Sequence, residues 1–215
     1  MRYEENNNMK YLEKTVENFT AELASSAPTP GGGGAAALVG ALGIALGNMV
    51  GELTVGKPKY AEYEGELRTL MAEASRIEKE LLHLVDEDAE GFKPLAEAYG
   101  IPKDNPERAR ILEEATKNAC VAPMAMIKAC TRAMKIIERF KEIGSRLAVS
   151  DAGCAAVLCK SAMQAAALNV YINTKSMADR EYAEELNDEV EELLNEYCDR
   201  ADDIYDDVAD ELLDQ

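Results

Sequence analysis

Asp88 is the residue whose position demands most of its surroundings. It falls seven residues past Leu81, four past Leu84 and four before Phe92, on the apolar stripe of a helix. Its neighbours Asp86 and Glu87 turn away from that stripe toward solvent. A carboxyl on a core-facing stripe loses hydration, and its pKa rises toward the range useful for proton transfer. A lysine partner or a helix cap would instead hold it as a structural carboxylate, and the spacing leaves both readings open. The second feature is the segment Ala27-Pro28-Thr29-Pro30-Gly31-Gly32-Gly33-Gly34 between two helical stretches. Glycines permit positive φ, so successive N–H groups can converge as a nest at the positive end of the following helix. Such a nest suits an anionic or carbonyl-bearing ligand. A flexible connection is the plain alternative, against which two stiffening prolines argue. No Gly-Lys-Ser/Thr follows and no strand precedes, which excludes a P-loop and a dinucleotide fingerprint.

Other chemistry-bearing residues each have an ordinary reading beside the functional one. Asp151 follows Ser150 at the opening of a helix, where an acid caps and complements the dipole. Lys57, in Val55-Gly56-Lys57-Pro58, sits on a stiff turn from which it reaches inward or stays on the surface. Asn169 and Asn173 stand one turn apart on a mostly apolar helix, and buried amides need partners, either a heterocycle or a neighbouring helix. The single histidine, His83, aligns with Arg76, Glu80, Glu87 and Glu90 on a polar face, so a Ser/His/Asp triad is disfavoured. Glu80-x-x-His83 is half of a di-iron pattern without its second copy, and no CxxC pair exists, so no metal set is expected. Lys128, Arg132, Lys135 and Arg139 form a basic stripe expected to face the acidic last helix, in the same chain or a partner. A polyanionic substrate tail is its alternative.

The elements that must position these residues are helical almost throughout. Apolar spacing predicts helices carrying Leu12, Val16, Phe19 and Leu23; from about Ala35 to Val55; from about Leu67 to near Phe92; from about Pro106 to Phe140, kinked by Pro123; from about Asp151 to Tyr171; and from Tyr182 to Leu212. Six helices with short connections and no internal repeat make one all-α domain over residues 1–215, a bundle with a Gly-rich interhelix loop. On the second helix Gly40, Gly43, Gly47 and Gly51 share one face, giving up roughly 4 kcal/mol of helix propensity relative to alanine. Close approach by the alanine-rich fifth helix is the expected compensation, and a flat ligand on the bare face the alternative.

Composition narrows the function. The chain has 215 residues, with 23 Lys plus Arg against 41 Asp plus Glu, and a net charge of −18. Residues 179–215 hold 17 of those acids and 2 of the bases, so the remainder is close to neutral. Such a surface repels nucleic acid and anionic membranes. Gly31 to Gly51 is uncharged and long enough to span a bilayer, yet it is rich in glycine and alanine, interrupted by Asn48 and lacks a basic flank. It is expected to be a buried central helix. Five scattered cysteines and an N-terminus without an apolar signal region point to a cytoplasmic protein with free thiols.

Ala27-Pro-Thr-Pro-Gly-Gly-Gly-Gly34, Leu53-Thr-Val-Gly-Lys57, Asp86-Glu-Asp-Ala89 and Ser150-Asp-Ala-Gly153, followed by Asn169-Val-Tyr-Ile-Asn173, together resemble the formiminotetrahydrofolate cyclodeaminase / methenyltetrahydrofolate cyclohydrolase family. The motifs run in order from about residue 9 to residue 205. The resemblance implies an all-α homodimer acting on the one-carbon unit that bridges N5 and N10 of tetrahydrofolate, a folate substrate, and no tightly bound cofactor or metal. It implies Asp88 in proton transfer, with Lys57 and Asp151 setting its protonation or orienting water. It places Asn169 and Asn173 on the pterin, and Thr29, Pro30, Gly31, Gly32, Gly33 and Gly34 against substrate polar groups. Gly34 stands where many members carry serine, which leaves the nest but alters one ligand contact. Some members are fused to a formiminotransferase. Its absence here tilts the expectation toward cyclohydrolysis and makes a separate formiminotransferase a possible partner. The competing reading is a non-catalytic acidic helical dimer that acts as an interaction module, without folate affinity.

Overall fold

The computed structural model describes residues 10–214. They form seven helices and no strand: α1 (Val16–Leu23), α2 (Gly32–Glu52), α3 (Glu64–Tyr99), α4 (Arg108–Ala119), α5 (Val121–Ile143), α6 (Val149–Thr174) and α7 (Arg180–Leu213). Short 3₁₀ turns at Tyr11–Glu13, Pro58–Tyr63 and Arg146–Ala148 precede α1, α3 and α6. The centre is α2, packed against α3, α5 and α6, while α7 lies along α6 and α5.

The glycines of α2 explain that position. A Cβ on Gly40 would stand 2.9 Å from Cys130 Sγ, on Gly43 2.7 Å from Cys159 Sγ, and on Gly47 2.9 Å from Ile137 Cγ1. Neighbouring helices therefore fill the bare face and leave no room there for a flat ligand. Close packing offsets the lost helix propensity. The opposite faces of α2 and α6 stay open. Both helices are long and apolar enough to cross a bilayer, yet 56% and 44% of their most apolar windows are buried against the rest of the chain.

Several expected elements are redrawn. The first stripe divides into the turn Tyr11–Glu13 and α1, which Thr15 caps by accepting from Asn18 N–H; only Phe19 of that stripe is buried. The fourth helix is two, joined at Cys120, three residues before the proline that was expected to kink it. Pro123 has no N–H to offer Ala119 O, and that carbonyl accepts instead from Asn173 Nδ2 at 3.3 Å. α3 runs past Phe92 through Pro94, which is exposed, to Tyr99. Leu95 and Ala98 keep it helical there by packing on Ala115 and Ala119 of α4.

The basic stripe serves two partners. Lys128 pairs with Glu189 of α7, and Lys135 lies over the Tyr197 ring. Arg132 and Arg139 turn the other way, to Glu80 and Glu66 of α3. α7 draws further cations from α5 and α6 through Lys141–Asp207 and Lys160–Asp202.

Candidate active site

Gly32, Gly33 and Gly34 are the first turn of α2 rather than a nest. Gly31 precedes them in extended conformation (φ −121°), and Gly56 has the sole positive φ among the described residues. What these glycines supply is room. A Cβ on Gly33 would overlap the Asp88 carboxyl, 2.6 Å from even its farther oxygen, and one on Gly32 would stand 3.2 Å from Asn169 Nδ2. α3 and α6 thus press two polar side chains against the start of α2, where unsatisfied N–H groups converge. Gly34 N–H donates to Asp88.

Asp88 is half-buried. Loss of hydration raises its pKa above the ordinary carboxyl value, and the Gly34 hydrogen bond opposes part of that rise. It forms the wall between two clefts. One, of about 120 Å³, is lined by Pro28, Thr29, Gly31, Gly32, Phe92, Ala119, Pro123, Asn169, Ile172 and Asn173. The other, of about 360 Å³, lies toward Leu84, Gly91, Asn118 and Val121. In the smaller cleft Asp88 is the one ionisable side chain among the described residues. Nearby Cys120, whose thiol Asn173 also approaches, is pushed up to about 11 by burial and stays protonated at neutral pH. Asn169 Nδ2 donates to Ala165 O at 2.8 Å, and its Oδ1 has no hydrogen bond among the described residues.

The structure gathers Asp88, Thr29, Gly31, Gly32, Asn169 and Asn173 around one space. Pro30, Gly33 and Gly34 lie beneath it, buried. Lys57 and Asp151 are elsewhere. Lys57 follows the far end of α2, about 30 Å along the helix axis from Gly32, and donates to Ser145 Oγ at 3.2 Å. Asp151 is the acidic residue in the first turn of α6, whose N-cap is Ala148, whereas Asn169 lies near the other end of that helix. His83 is exposed and pairs with Glu87 at 3.0 Å. Asp86 is not solvated: Oδ1 accepts from Tyr11 N–H at 2.7 Å, and Oδ2 is buried without a partner.

Three lining residues carry no chemical signal in sequence. Phe92 belongs to the Asp88 stripe, Ile172 sits between the two asparagines, and Pro123 marks only a bend. Helical spacing alone was enough to place Phe92 and Ile172 beside the polar residues they flank.

A family model described as formiminotransferase-cyclodeaminase matches residues 15–192. Methenyltetrahydrofolate cyclohydrolase of Methylorubrum extorquens is 42% identical over 187 residues, covering 85% of this chain and 90% of that protein. Mouse formimidoyltransferase-cyclodeaminase is 31% identical over 86% of this chain, which spans 35% of its length. The crystal structure of formiminotetrahydrofolate cyclodeaminase from Thermotoga maritima superposes with a TM-score of 0.80 at 28% identity, over 91% of this chain and 98% of that one. With most of its length matched and the glycine segment, Asp88 and both asparagines converging on one cleft, this chain belongs to the formiminotransferase-cyclodeaminase family.

Proposed function

We propose that this chain is a folate one-carbon enzyme that adds water across 5,10-methenyltetrahydrofolate, opening the N5–C–N10 bridge. The observation that carries this reading is Asp88, the single ionisable group among the described residues of a glycine-walled cleft, with a pKa raised by burial. The methenyl bridge is a delocalised cation, which a carboxylate attracts strongly in a poorly hydrated cleft. Ionised Asp88 takes a proton from water as the water oxygen bonds to the bridging carbon. The tetrahedral carbon then bears a hydroxyl and both folate nitrogens. Asp88 returns its proton to N5 as the C–N5 bond breaks, the hydroxyl proton leaves to solvent, and the formyl group stays on N10.

The same groups support ring closure with loss of ammonia, the reaction named for the Thermotoga relative. There N10 bonds to the formimino carbon as its proton passes to the imine nitrogen, and protonated Asp88 donates to the resulting amino group, which departs as ammonia and leaves the methenyl cation. A separate formimino-group transferase would supply that substrate. Neither reaction calls on redox chemistry, and Asn169 and Asn173 offer amides to the pterin edge.

We further propose a homodimer. Leu42 and Met49 on α2, Leu53 just past its end, and Val157, Leu168 and Ile172 on α6 are 40–68% exposed large apolar residues on the open sides of the two helices. A stable partner covers roughly 800 Å², and these apolar side chains would stand within such a patch. A two-fold axis through the middle of this face would bring the partner's Lys57 and the partner's Asp151 toward the Asp88 cleft. The free cysteines, three of them buried, support a reducing, cytoplasmic setting.

The test is an assay of the purified protein with each folate, following methenyl absorbance as it falls or appears. Turnover of either substrate that drops at least ~100-fold in Asp88→Asn supports the reading. Full activity in that variant removes Asp88 from the chemistry.

A further inference from the structure

Pro28, Thr29 and Gly31 of the segment Pro28–Gly31 line the folate cleft together with Asp88, and little of the body holds that segment. α1, which leads into it, makes no substantial packing contact with the other helices, and Phe19 is its only buried residue. Pro30 and the start of α2 fix one end of the segment. Among the described residues the outer side is tied at a single point, where Tyr11 Oη meets Thr29 Oγ1 at 2.8 Å.

Tyr11 is itself anchored three ways. Its backbone N–H donates to Asp86 Oδ1 at 2.7 Å, and its ring meets Phe19 edge-on at 6.2 Å. Lys14 Nζ sits 4.5 Å from the ring centroid and pairs with Glu22, with only 7% of the lysine side chain exposed. Asp86 lies on α3, two residues before Asp88 and outside the folate cleft. One helix therefore carries Asp88 on one face and, through Asp86 and Tyr11, holds the loop that closes over it on another. The 2.7 Å bond also explains the half-buried state of Asp86, which has no role in the cleft.

We propose that Tyr11 is a positioning residue, which holds Thr29 and the Pro28–Gly31 wall at the distance from Asp88 that the folate requires. Without the latch the loop samples other positions, and each binding event must order it again. That cost falls on binding and not on the chemical step.

The inference rests on the folate reading of the cleft. Tyr11→Phe removes one hydroxyl and keeps the ring contacts. In the full-length protein KM should rise about fivefold to tenfold, the equivalent of one hydrogen bond, while kcat changes less than about twofold and Tm stays within about 1 °C. Asp86→Ala should reproduce the KM rise, and Asp86→Asn, which keeps an acceptor for Tyr11 N–H, should restore it. A KM within twofold of wild type in Tyr11→Phe overturns the latch, as does a kcat loss equal to the KM gain. Wild-type protein that turns over neither folate and gains no thermal stability from a folate analogue overturns the cleft reading, and the latch with it.

Discussion

Asp88 and Gly33 are one unit, because the acid occupies the volume a side chain on Gly33 would need. Burial raises the Asp88 pKa, so between the ordinary carboxyl value and the raised one the folded chain binds more protons than the unfolded chain. The stability Asp88 contributes is therefore whole at low pH and lost as pH rises through its raised pKa. Asp88→Asn keeps an acceptor for Gly34 N–H and has no charge to desolvate. Thermal scans should show its Tm above wild type at neutral pH, on the order of 2 °C, with the gain shrinking toward about pH 4. A residue tuned for proton transfer is thus a local cost to the fold. The kcat/KM profile should lose activity as pH falls through the raised Asp88 pKa. Gly33→Ala drives the carboxyl out of its slot and into water. We expect turnover to fall at least tenfold and the acidic limb of the profile to move down toward the ordinary carboxyl value, read from the same pH series.

At the scale of the element, the break between α4 and α5 sets the cleft floor. Pro123 leaves Ala119 O without its usual helical donor, and Asn173 takes the vacancy. Pro123→Ala restores an N–H four residues on, which competes with Asn173 for the carbonyl and favours a continuous helix. The freed amide should raise KM about fivefold, measured in the cyclohydrolase assay, with little change in kcat. Proline predicts a bend in any helix, and that much was legible. Which side chain would claim the orphaned carbonyl depends on α6 arriving alongside, and spacing along one helix does not contain that. Pro94 is the converse case: its missing hydrogen bond faces water on the exposed side of α3, while Leu95 and Ala98 are gripped by α4, so the helix runs on.

At the scale of the whole molecule, Asp88 and the pair Lys57–Asp151 occupy opposite ends of the α2–α6 face. If that face joins two copies, an Asp88→Asn protein and a Lys57→Ala protein, each weak alone, should regain activity when mixed and re-associated, approaching about a quarter of wild type because half the dimers form one intact site of two. Light scattering should give twice the chain mass, and Leu42→Glu with Leu168→Glu should abolish both the dimer and the regained activity. The apolar period, the glycine face and the acidic tail determined the helical class, the central place of α2 and the salt-bridged role of α7. Periodicity reports which side of a helix avoids water, and that is a local property. The asparagines and the glycine segment were legible as residues with unusual needs, and the position of Asp88 on an apolar stripe as a group with a raised pKa. Only the tertiary structure decided that α2 and α6 run antiparallel, which joins Gly32 to Asn169 and separates both from Lys57 and Asp151. It alone decided that the glycines make room for Asp88 instead of turning the chain, and that Asp86 is tied to Tyr11. Those outcomes depend on contacts between residues far apart in sequence, and a one-dimensional pattern carries no record of such distances.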